Sequence, residues 1–381
     1  MKKMFLTGLL ISMMALTSCD EVIDPENNKT EEISGFIGTM EYADIKDIKN
    51  NIDSALDQDF THLKADKELN ISIPDKVSRL TLTYHNDFFK YEEKLTELLM
   101  CDHKPFKMIT TDEHLGSHGI IKSIDSNTEF FKFDDRGFMI WEKEYAAKCH
   151  LSNGVTKAIL SPDSDKEYDL KDGKMKASDA VKYAQELGDK YMAVIGKEGL
   201  APRYVILREY SEGINYYEVE MREKSEYGLI GSFFSDFCDA DTNFETGSIK
   251  EKVNSTPFGY IINVCTHNGA EGLLKNESEY HIKEANDNDQ QVISLKSALR
   301  YIDDNIGESI NCSIVNIQYE NTIYQCGNRK DNENGIEISN DYYTEPFWVI
   351  DLYDENTRTF YIAAIDCLTG EFLLGKRPAS F

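Results

Sequence analysis

The pattern that decides the predicted fold reads ISLKSALRYIDDNIG at residues 293–307, SIVNIQY at 313–319 and EPFWVIDLYDENTRTFYIAAIDCLTGEF at 345–372. In the first segment, apolar side chains recur at three- and four-residue steps, which places them on one stripe of a helix. Ser294 is suited to cap this helix and Gly307 to end it. The third segment alternates with a period of two around Trp348, which indicates strands joined by a polar turn.

Three short motifs belong to this region: Trp348-Val349-Ile350-Asp351, Tyr361-Ile362-Ala363-Ala364-Ile365-Asp366 and Thr369-Gly370-Glu371. A helix followed by antiparallel strands with these motifs resembles the PepSY-type module of secreted peptidase propeptides and bacterial cell-envelope proteins. A long insert between residues 319 and 348 departs from the compact pattern of that family. The resemblance implies peptidase inhibition or protein binding, through a sheet face or an exposed strand edge. It implies no catalytic residue.

A fainter copy of the pattern lies upstream, in residues 174–238. Its predicted helix, MKASDAVKYAQEL, shares the run Ala, aliphatic, basic, Tyr with the downstream helix. The strand candidates that follow correspond in order to the downstream ones. Residues 204–210 match 313–319, residues 216–221 match 348–353, and residues 229–234 match 361–365. Amphipathic helices are alike in composition, so chance similarity is the alternative to a true repeat.

The predicted fold class is α+β, with an N-terminal α+β region followed by two helix-plus-antiparallel-sheet modules of PepSY-like type. A charged linker at residues 163–173 gives the boundary before the first module. The full division is a signal peptide at 1–18, a lipidated acidic tether at 19–35, the N-terminal region at 36–162, and the two modules at 174–270 and 292–381.

The N-terminus has the features of a lipoprotein signal peptide. Lys2 and Lys3 precede a short apolar run that ends in Leu16-Thr17-Ser18-Cys19. Small residues before a cysteine resemble the lipobox of bacterial lipoproteins, and an ordinary secretory signal is the alternative. The apolar run is too short to remain as a membrane span. We therefore expect lipid chains on Cys19 to anchor the mature chain to a membrane.

The acidic character of the chain bears on its address and its partners. Asp20, Glu21, Asp24 and Glu26 follow Cys19, which resembles the surface-export signal of Bacteroidetes lipoproteins; a solvated tether is the plainer interpretation. The sequence predicts an outer-membrane protein that faces outward. A formal charge of −27, with 68 acidic and 41 basic side chains, argues against a nucleic-acid partner, because phosphates are repelled by the net field.

Cysteines and histidines give no recognisable metal or redox motif. The 8 cysteines include no CxxC spacing, and lipidation of Cys19 leaves an odd number. An envelope address permits disulfides, but scattered cysteines are equally typical of small buried hydrophobes. Cys312 and Cys326 flank one strand and are a candidate pair. His114 and His118 lie among glycines, so we expect no metal site and no cofactor.

Aromatic side chains on the predicted strands are the candidate binding residues. Alternation places only half of them on a core face, and exposed tyrosine or tryptophan is a good anchor for a protein or a glycan. The candidates are Tyr217, Trp348, Tyr353 and Tyr361. Packing under a covering helix is the alternative. The leading hypothesis is a non-enzymatic envelope lipoprotein that binds a protein or inhibits a peptidase. The other is a glycan-binding or glycan-processing accessory lipoprotein of a surface uptake system.

Overall fold

The structure is a computed structural model of the chain. It describes residues 40–85, 88–99, 107–111, 120–123, 130–133, 139–143, 145–146, 149, 155–211, 213–231, 259–276, 279–286, 291–307, 310–324, 329–332, 335–338 and 341–378. The predicted signal peptide, the tether and Cys19 lie outside these residues, as do His114, His118 and Cys326.

The helices are few and mostly short. Their bounds are Ile45–Asn50 for α1, Ile52–Leu56 for α2, Glu92–Leu99 for α3, Ala177–Ile195 for α4 and Leu295–Asn305 for α5, with a 3₁₀ turn at Phe88–Tyr91. Within the described part of the chain, no helix combines the length and the apolar character that crossing a membrane requires.

Strands make up most of the described structure. In chain order they are β1 (Tyr42–Ala43), β2 (Leu63–Ser72), β3 (Arg79–His85), β4 (Lys107–Thr111), β5 (Ile120–Ser123), β6 (Phe130–Phe133), β7 (Met139–Glu142), β8 (Val155–Leu160), β9 (Glu167–Leu170), β10 (Gly173–Lys176), β11 (Leu200–Ser211), β12 (Ile214–Ser225), β13 (Gly228–Gly231), β14 (Gly259–Val264), β15 (Gly272–Asn276), β16 (Glu279–Asn286), β17 (Val292–Ile293), β18 (Cys312–Tyr324), β19 (Arg329–Asn332), β20 (Gly335–Ile338), β21 (Asp341–Asp354), β22 (Thr359–Asp366) and β23 (Phe372–Pro378).

Helix α5 confirms the prediction made from its periodicity and its cap. The Ser294 hydroxyl accepts a hydrogen bond from the Ser297 N–H at 3.2 Å, which satisfies one of the backbone donors left over at a helix start. The apolar stripe, which includes Leu295, Leu299 and Ile302, is buried. The helix therefore forms where local pattern and tertiary burial agree.

Helix α4 ends at Gly196, whose φ of 79° is left-handed and favours glycine. The Lys197 N–H reaches back to the Met192 carbonyl at 2.9 Å, which satisfies a carbonyl of the last turn. Gly188 lets the helix approach β11 closely, because a Cβ there would lie 2.9 Å from the Leu200 side chain. Helix α4 is therefore held against the sheet by a contact that needs glycine.

The sheet has two layers that are joined by one short strand. In the first layer the order is β8-β11-β12-β14-β15-β7-β6-β5-β4, and every neighbouring pair is antiparallel. In the second layer the order is β2-β18-β21-β22-β23, with β2 parallel to β18 and the other pairs antiparallel. Strand β13 pairs antiparallel with β12 and parallel with β18, and so connects the layers.

The first strands of the chain pair with strands from its last third. Strand β1 pairs with β17, and β2 lies beside β18. Strand β3 pairs with β16 and also with the first residues of β21. The N-terminal region therefore contributes strands to the same sheet as the two predicted modules.

The predicted α+β class with two helix-plus-sheet modules is wrong. The described residues are dominated by strands of one large sheet. This sheet includes strands from the predicted N-terminal region and from both predicted modules. The physical reason is that strand pairing is not local: alternation identifies a strand but not the neighbour that receives its hydrogen bonds. The proposed match of 229–234 with 361–365 is also wrong, because the third strand beside β11 and β12 is β14, whereas β13 crosses to β18. The boundaries of the predicted division stay a prediction.

Three apolar clusters show which helices and sheet layers pack against each other. One lies between α4 and the first layer and includes Val205, Tyr217 and Val219. A second lies between α5 and the second layer and includes Ile317 and Trp348. The third lies between the two layers and contains side chains of β8, β11, β18, β21, β22 and β23. Strand β11 is thus covered by α4 on one face and by the second layer on the other, and β21 and β22 are covered by α5 on one face and by the first layer on the other.

Candidate functional site

Strand β18 presents a row of polar side chains to the space between the layers. A register shift at Val315 adds one residue to the strand, so the residues that follow alternate in a new phase. Ile317 and Tyr319 then face α5. The polar side chains on the opposite face are all 0% exposed: Asn316, Gln318, Glu320 and Thr322.

An ion pair between the layers occupies one end of this row. Arg203 lies at a bulge of β11, where the register with β12 shifts between Pro202 and Tyr204. Its Nε donates to Asp351 Oδ2 at 2.9 Å and its Nη2 donates to Asp351 Oδ1 at 2.6 Å. Both side chains are 0% exposed. The bidentate geometry fixes the orientation of β11 relative to β21.

Two asparagines extend the ion pair into β18 and β2. Asn316 Nδ2 donates to Asp351 Oδ2 at 2.9 Å. Asn70 Nδ2 donates to Asn316 Oδ1 at 2.8 Å and to the Pro202 carbonyl at 3.3 Å. The asparagine amides therefore link four strands through hydrogen bonds, as a buried polar group requires.

A second arginine lies farther along the row. Gln318 Nε2 donates to Glu320 Oε2 at 2.7 Å, and the Thr322 hydroxyl donates to Glu320 Oε1 at 3.1 Å. Arg222 of β12 approaches the same carboxylate, with its Nε 3.4 Å from Glu320 Oε2, and lies 3.4 Å from Glu220 Oε2 through its Nη1. We name this set the interlayer cluster: Asn70, Arg203, Glu220, Arg222, Asn316, Gln318, Glu320, Thr322 and Asp351.

Two glycines make room for the Arg222 side chain. A Cβ at Gly231 would lie 2.6 Å from Arg222 Cδ, and one at Gly259 would lie 2.5 Å from Arg222 Nη1. Neither glycine has a positive φ, so space rather than backbone conformation demands glycine here. The guanidinium is thus confined between the backbones of β13 and the first residue of β14.

Gly259→Ala is expected to destabilise the protein by about 1–3 kcal/mol, because the added methyl group displaces the buried Arg222 side chain. Urea unfolding followed by circular dichroism measures the loss. The matched control is the same substitution in an Arg222→Ala background, where the clash is absent and the added cost should fall below about 0.5 kcal/mol. Equal costs in both backgrounds contradict the explanation.

The interlayer cluster contains charged side chains that are buried. Its ionisable members are two guanidinium groups and three carboxylates, each 7% exposed or less at the side chain. Groups of this kind are stable inside a protein only when they are paired and hydrogen-bonded. The arrangement locks the two layers in one register. In the described residues, no set of three or more His, Cys, Asp or Glu side chains is placed to hold a metal ion.

Two of the four candidate binding residues donate hydrogen bonds inside the core. Tyr217 is 0% exposed, and its hydroxyl donates to the Met175 carbonyl at 2.7 Å. Burial raises the pKa of Tyr217. Trp348 is also 0% exposed, and its Nε1 donates to the Ile293 carbonyl at 2.7 Å, which ties β21 to β17.

The other two candidates are also buried, and the structure does not bring the four together. Tyr353 is 7% exposed and lies between the layers, and Tyr361 is 6% exposed and faces α5. Burial raises the pKa of both. The prediction of an exposed aromatic face is wrong, because both faces of the strands are covered. Packing, the alternative considered above, describes these residues.

The sequence contains a pattern that indicates the interlayer cluster, although the aromatic residues on the neighbouring strands are more conspicuous. Positions 316, 318, 320 and 322 form a polar series in which every second residue is Asn, Gln, Glu or Thr. On an exposed strand this series is a solvated face, which is the ordinary interpretation. Only the partners from distant strands, Arg203, Arg222 and Asp351, make it a buried network.

Comparisons of the sequence with known protein families and with curated proteins find no match. The PepSY-type resemblance therefore stays a prediction from its motif residues. Lipidation of Cys19 also stays a prediction, because that residue lies outside the described structure. The pairing of Cys312 with Cys326 stays a prediction as well. The structure describes Cys312, as a buried thiol, but not Cys326.

Proposed function

We propose that this chain is a lipid-anchored protein of the outer membrane, exposed at the cell surface, that binds a protein partner and catalyses no reaction. The address is supported by the sequence Leu16-Thr17-Ser18-Cys19 after a short apolar run, and by the acidic residues that follow it. The lipid on Cys19 holds the protein at the membrane, and the folded part from Met40 onward carries the binding surface.

The observation that carries the binding proposal is the open edge of β23. This strand pairs with β22 along its length and, among the strands that the structure describes, with no other. An unpaired strand edge offers a row of backbone N–H and C=O groups to an extended peptide, which adds as a further strand. A protein partner with an extended segment is therefore the ligand that this edge suits.

Pro378 determines which donors of β23 point outward. It pairs with Thr359 across the ladder, and proline has no N–H. This pair is therefore of the non-hydrogen-bonded kind, and the neighbouring pair of Phe360 with Arg377 is hydrogen-bonded. Alternation then directs the N–H groups of Phe372, Leu374 and Lys376 away from β22. These are the three donors that β23 offers to an added strand.

The test begins with the full-length protein in detergent, used as bait for crosslinked capture from the native envelope and mass spectrometry. Enrichment of one surface protein or peptidase supports the proposal. Recovery of glycans alone, or of nothing, contradicts it. If the captured partner is a peptidase, its inhibition by the bait is measured next, as the PepSY-type resemblance implies.

Lys376→Pro then tests the edge itself. It removes an outward N–H, so we expect about tenfold weaker partner binding with thermal unfolding unchanged. Lys376→Ala loses the same charge but keeps the N–H, and should bind normally. Arg377→Pro removes an inward N–H and should lower the melting temperature. Equal binding by the Lys376→Pro and Lys376→Ala variants places the partner elsewhere.

A further inference from the structure

Two cysteine side chains meet inside the protein, away from the interlayer cluster. Cys149 and Cys265 are both 0% exposed and belong to one small buried cluster with Ala146 and Tyr216. The side chain of Cys149 is in hydrogen-bonding contact with Cys265, and this contact together with burial raises the pKa of the Cys265 thiol. The two sulfur atoms are therefore neighbours in the fold.

Aromatic rings pack against the cluster that holds the two thiols. Tyr145 and Tyr210 pack against the same cluster and contact each other edge to face, with ring centroids 6.0 Å apart. A cysteine that acts as a nucleophile or binds a metal needs its thiolate, which burial and the nearby Glu271 and Glu218 carboxylates disfavour at Cys265 by raising its pKa. The surroundings suit a neutral pair of sulfurs, either as two thiols or as one disulfide.

The other buried cysteines of the described chain have a different setting. Cys312 begins β18 and Cys367 follows β22, and both belong to the apolar cluster beneath α5. Burial is the main cause that raises the pKa of each thiol, and no second cysteine contributes. Both pack as small side chains in that core, and Cys367 serves as the matched control, because Cys312 is itself the candidate partner of Cys326.

We propose that Cys149 and Cys265 form a disulfide bond once the chain is in an oxidising compartment. The two S–H bonds break, one S–S bond forms, and two protons and two electrons leave the pair. A disulfide oxidant, such as oxidised glutathione or an oxidoreductase disulfide, accepts them and becomes two thiols. The physiological occurrence of the bond rests on the proposed envelope address, whereas its formation from a suitable oxidant does not.

The bond joins segments that are far apart in sequence. Cys149 lies between β7 and β8, and Cys265 follows the last residue of β14. The cross-link closes a loop that contains α4 and the strands β8 to β14. Such a loop loses many conformations in the unfolded chain, so the bond stabilises the first layer.

Peptide mapping tests the pair directly. The full-length chain is refolded from urea in a glutathione redox buffer, alkylated without reduction and digested with trypsin. Cleavage after lysine gives one peptide at residues 149–157 and another at 253–275, each with a single cysteine. We expect these two peptides to be linked and two hydrogen atoms lighter than their sum. Alkylated Cys149 and Cys265 in the folded, oxidised protein overturn the proposal.

A second measurement separates the bond from mere proximity. Adding a reductant should lower the melting temperature of the oxidised protein by about 5 °C. In a Cys326→Ala background, which removes the other candidate pair, the same reductant should leave a Cys149→Ala, Cys265→Ala double variant unchanged. A Cys367→Ala variant in that background should respond like the background protein. A reductant effect that persists in the double variant contradicts the assignment.

Peptide mapping of protein taken from the native envelope distinguishes this inference from the proposed address. A bond that forms in the redox buffer but is missing from the native protein contradicts the oxidising address and leaves the pairing intact. A bond that is missing in both contradicts the pairing and leaves the proposed function untouched.

Discussion

Asp351→Ala should lower the free energy of unfolding by about 3–5 kcal/mol. The substitution removes the carboxylate that accepts both Arg203 hydrogen bonds, and the guanidinium stays charged in a site where it is 0% exposed. It also takes an acceptor from Asn316. Urea unfolding monitored by circular dichroism measures the change. If the variant is unfolded without urea, a stabilising osmolyte brings its transition into range.

The matched control for Asp351→Ala replaces both charges. Arg203→Met with Asp351→Leu substitutes an apolar pair of similar volume for the ion pair, and it should recover most of the lost stability, because both desolvation costs disappear. A loss of under about 1 kcal/mol in the single variant contradicts the role assigned to the pair. So does a double variant no more stable than the single one.

Trp348→Ala should cost about 3–5 kcal/mol, because it empties a large volume in the core beneath α5. Trp348→Phe keeps most of that volume but leaves the Ile293 carbonyl without the indole N–H that it accepts at 2.7 Å. We expect that variant to lose about 1–3 kcal/mol. Urea unfolding measures both substitutions.

A substitution at Tyr343, which is 37% exposed, gives the control for Trp348. Tyr343→Ala should change stability by less than about 0.5 kcal/mol. Measuring both stability and partner binding for these variants shows whether Trp348 acts through core packing or through contact with a partner. A Trp348→Phe variant of unchanged stability that has lost a captured partner would show that the tryptophan contacts the partner.

Local features of the fold were accessible from the sequence. The limits of α5 follow from a serine cap, an apolar stripe and a glycine, all within 15 residues, and each acts through neighbours along the chain. Strands β21 and β22 were equally visible by alternation. These elements are set by interactions between residues that the sequence already places together.

The assembly of the strands was not accessible in the same way. Nothing local in SIVNIQY distinguishes a polar face that meets water from one that meets Asn70 and Asp351 of other strands. The tyrosines and Trp348 show the same limit, because alternation gives two faces and does not say that both are covered. The candidate site therefore had to come from the packing of the two layers, which residues far apart in sequence create together.

The pairing of β1, β2 and β3 has a consequence for the order in which the chain folds. In the described residues, the backbone of each of these strands pairs only with strands that begin at residue 279 or later. During synthesis or export from the N-terminus, they emerge long before their partners exist. Pairing across such separations is slow, and unpaired edges invite aggregation in the interval. The chain thus reaches its native state only when its last third has arrived, and until then its beginning depends on a chaperone or on staying extended.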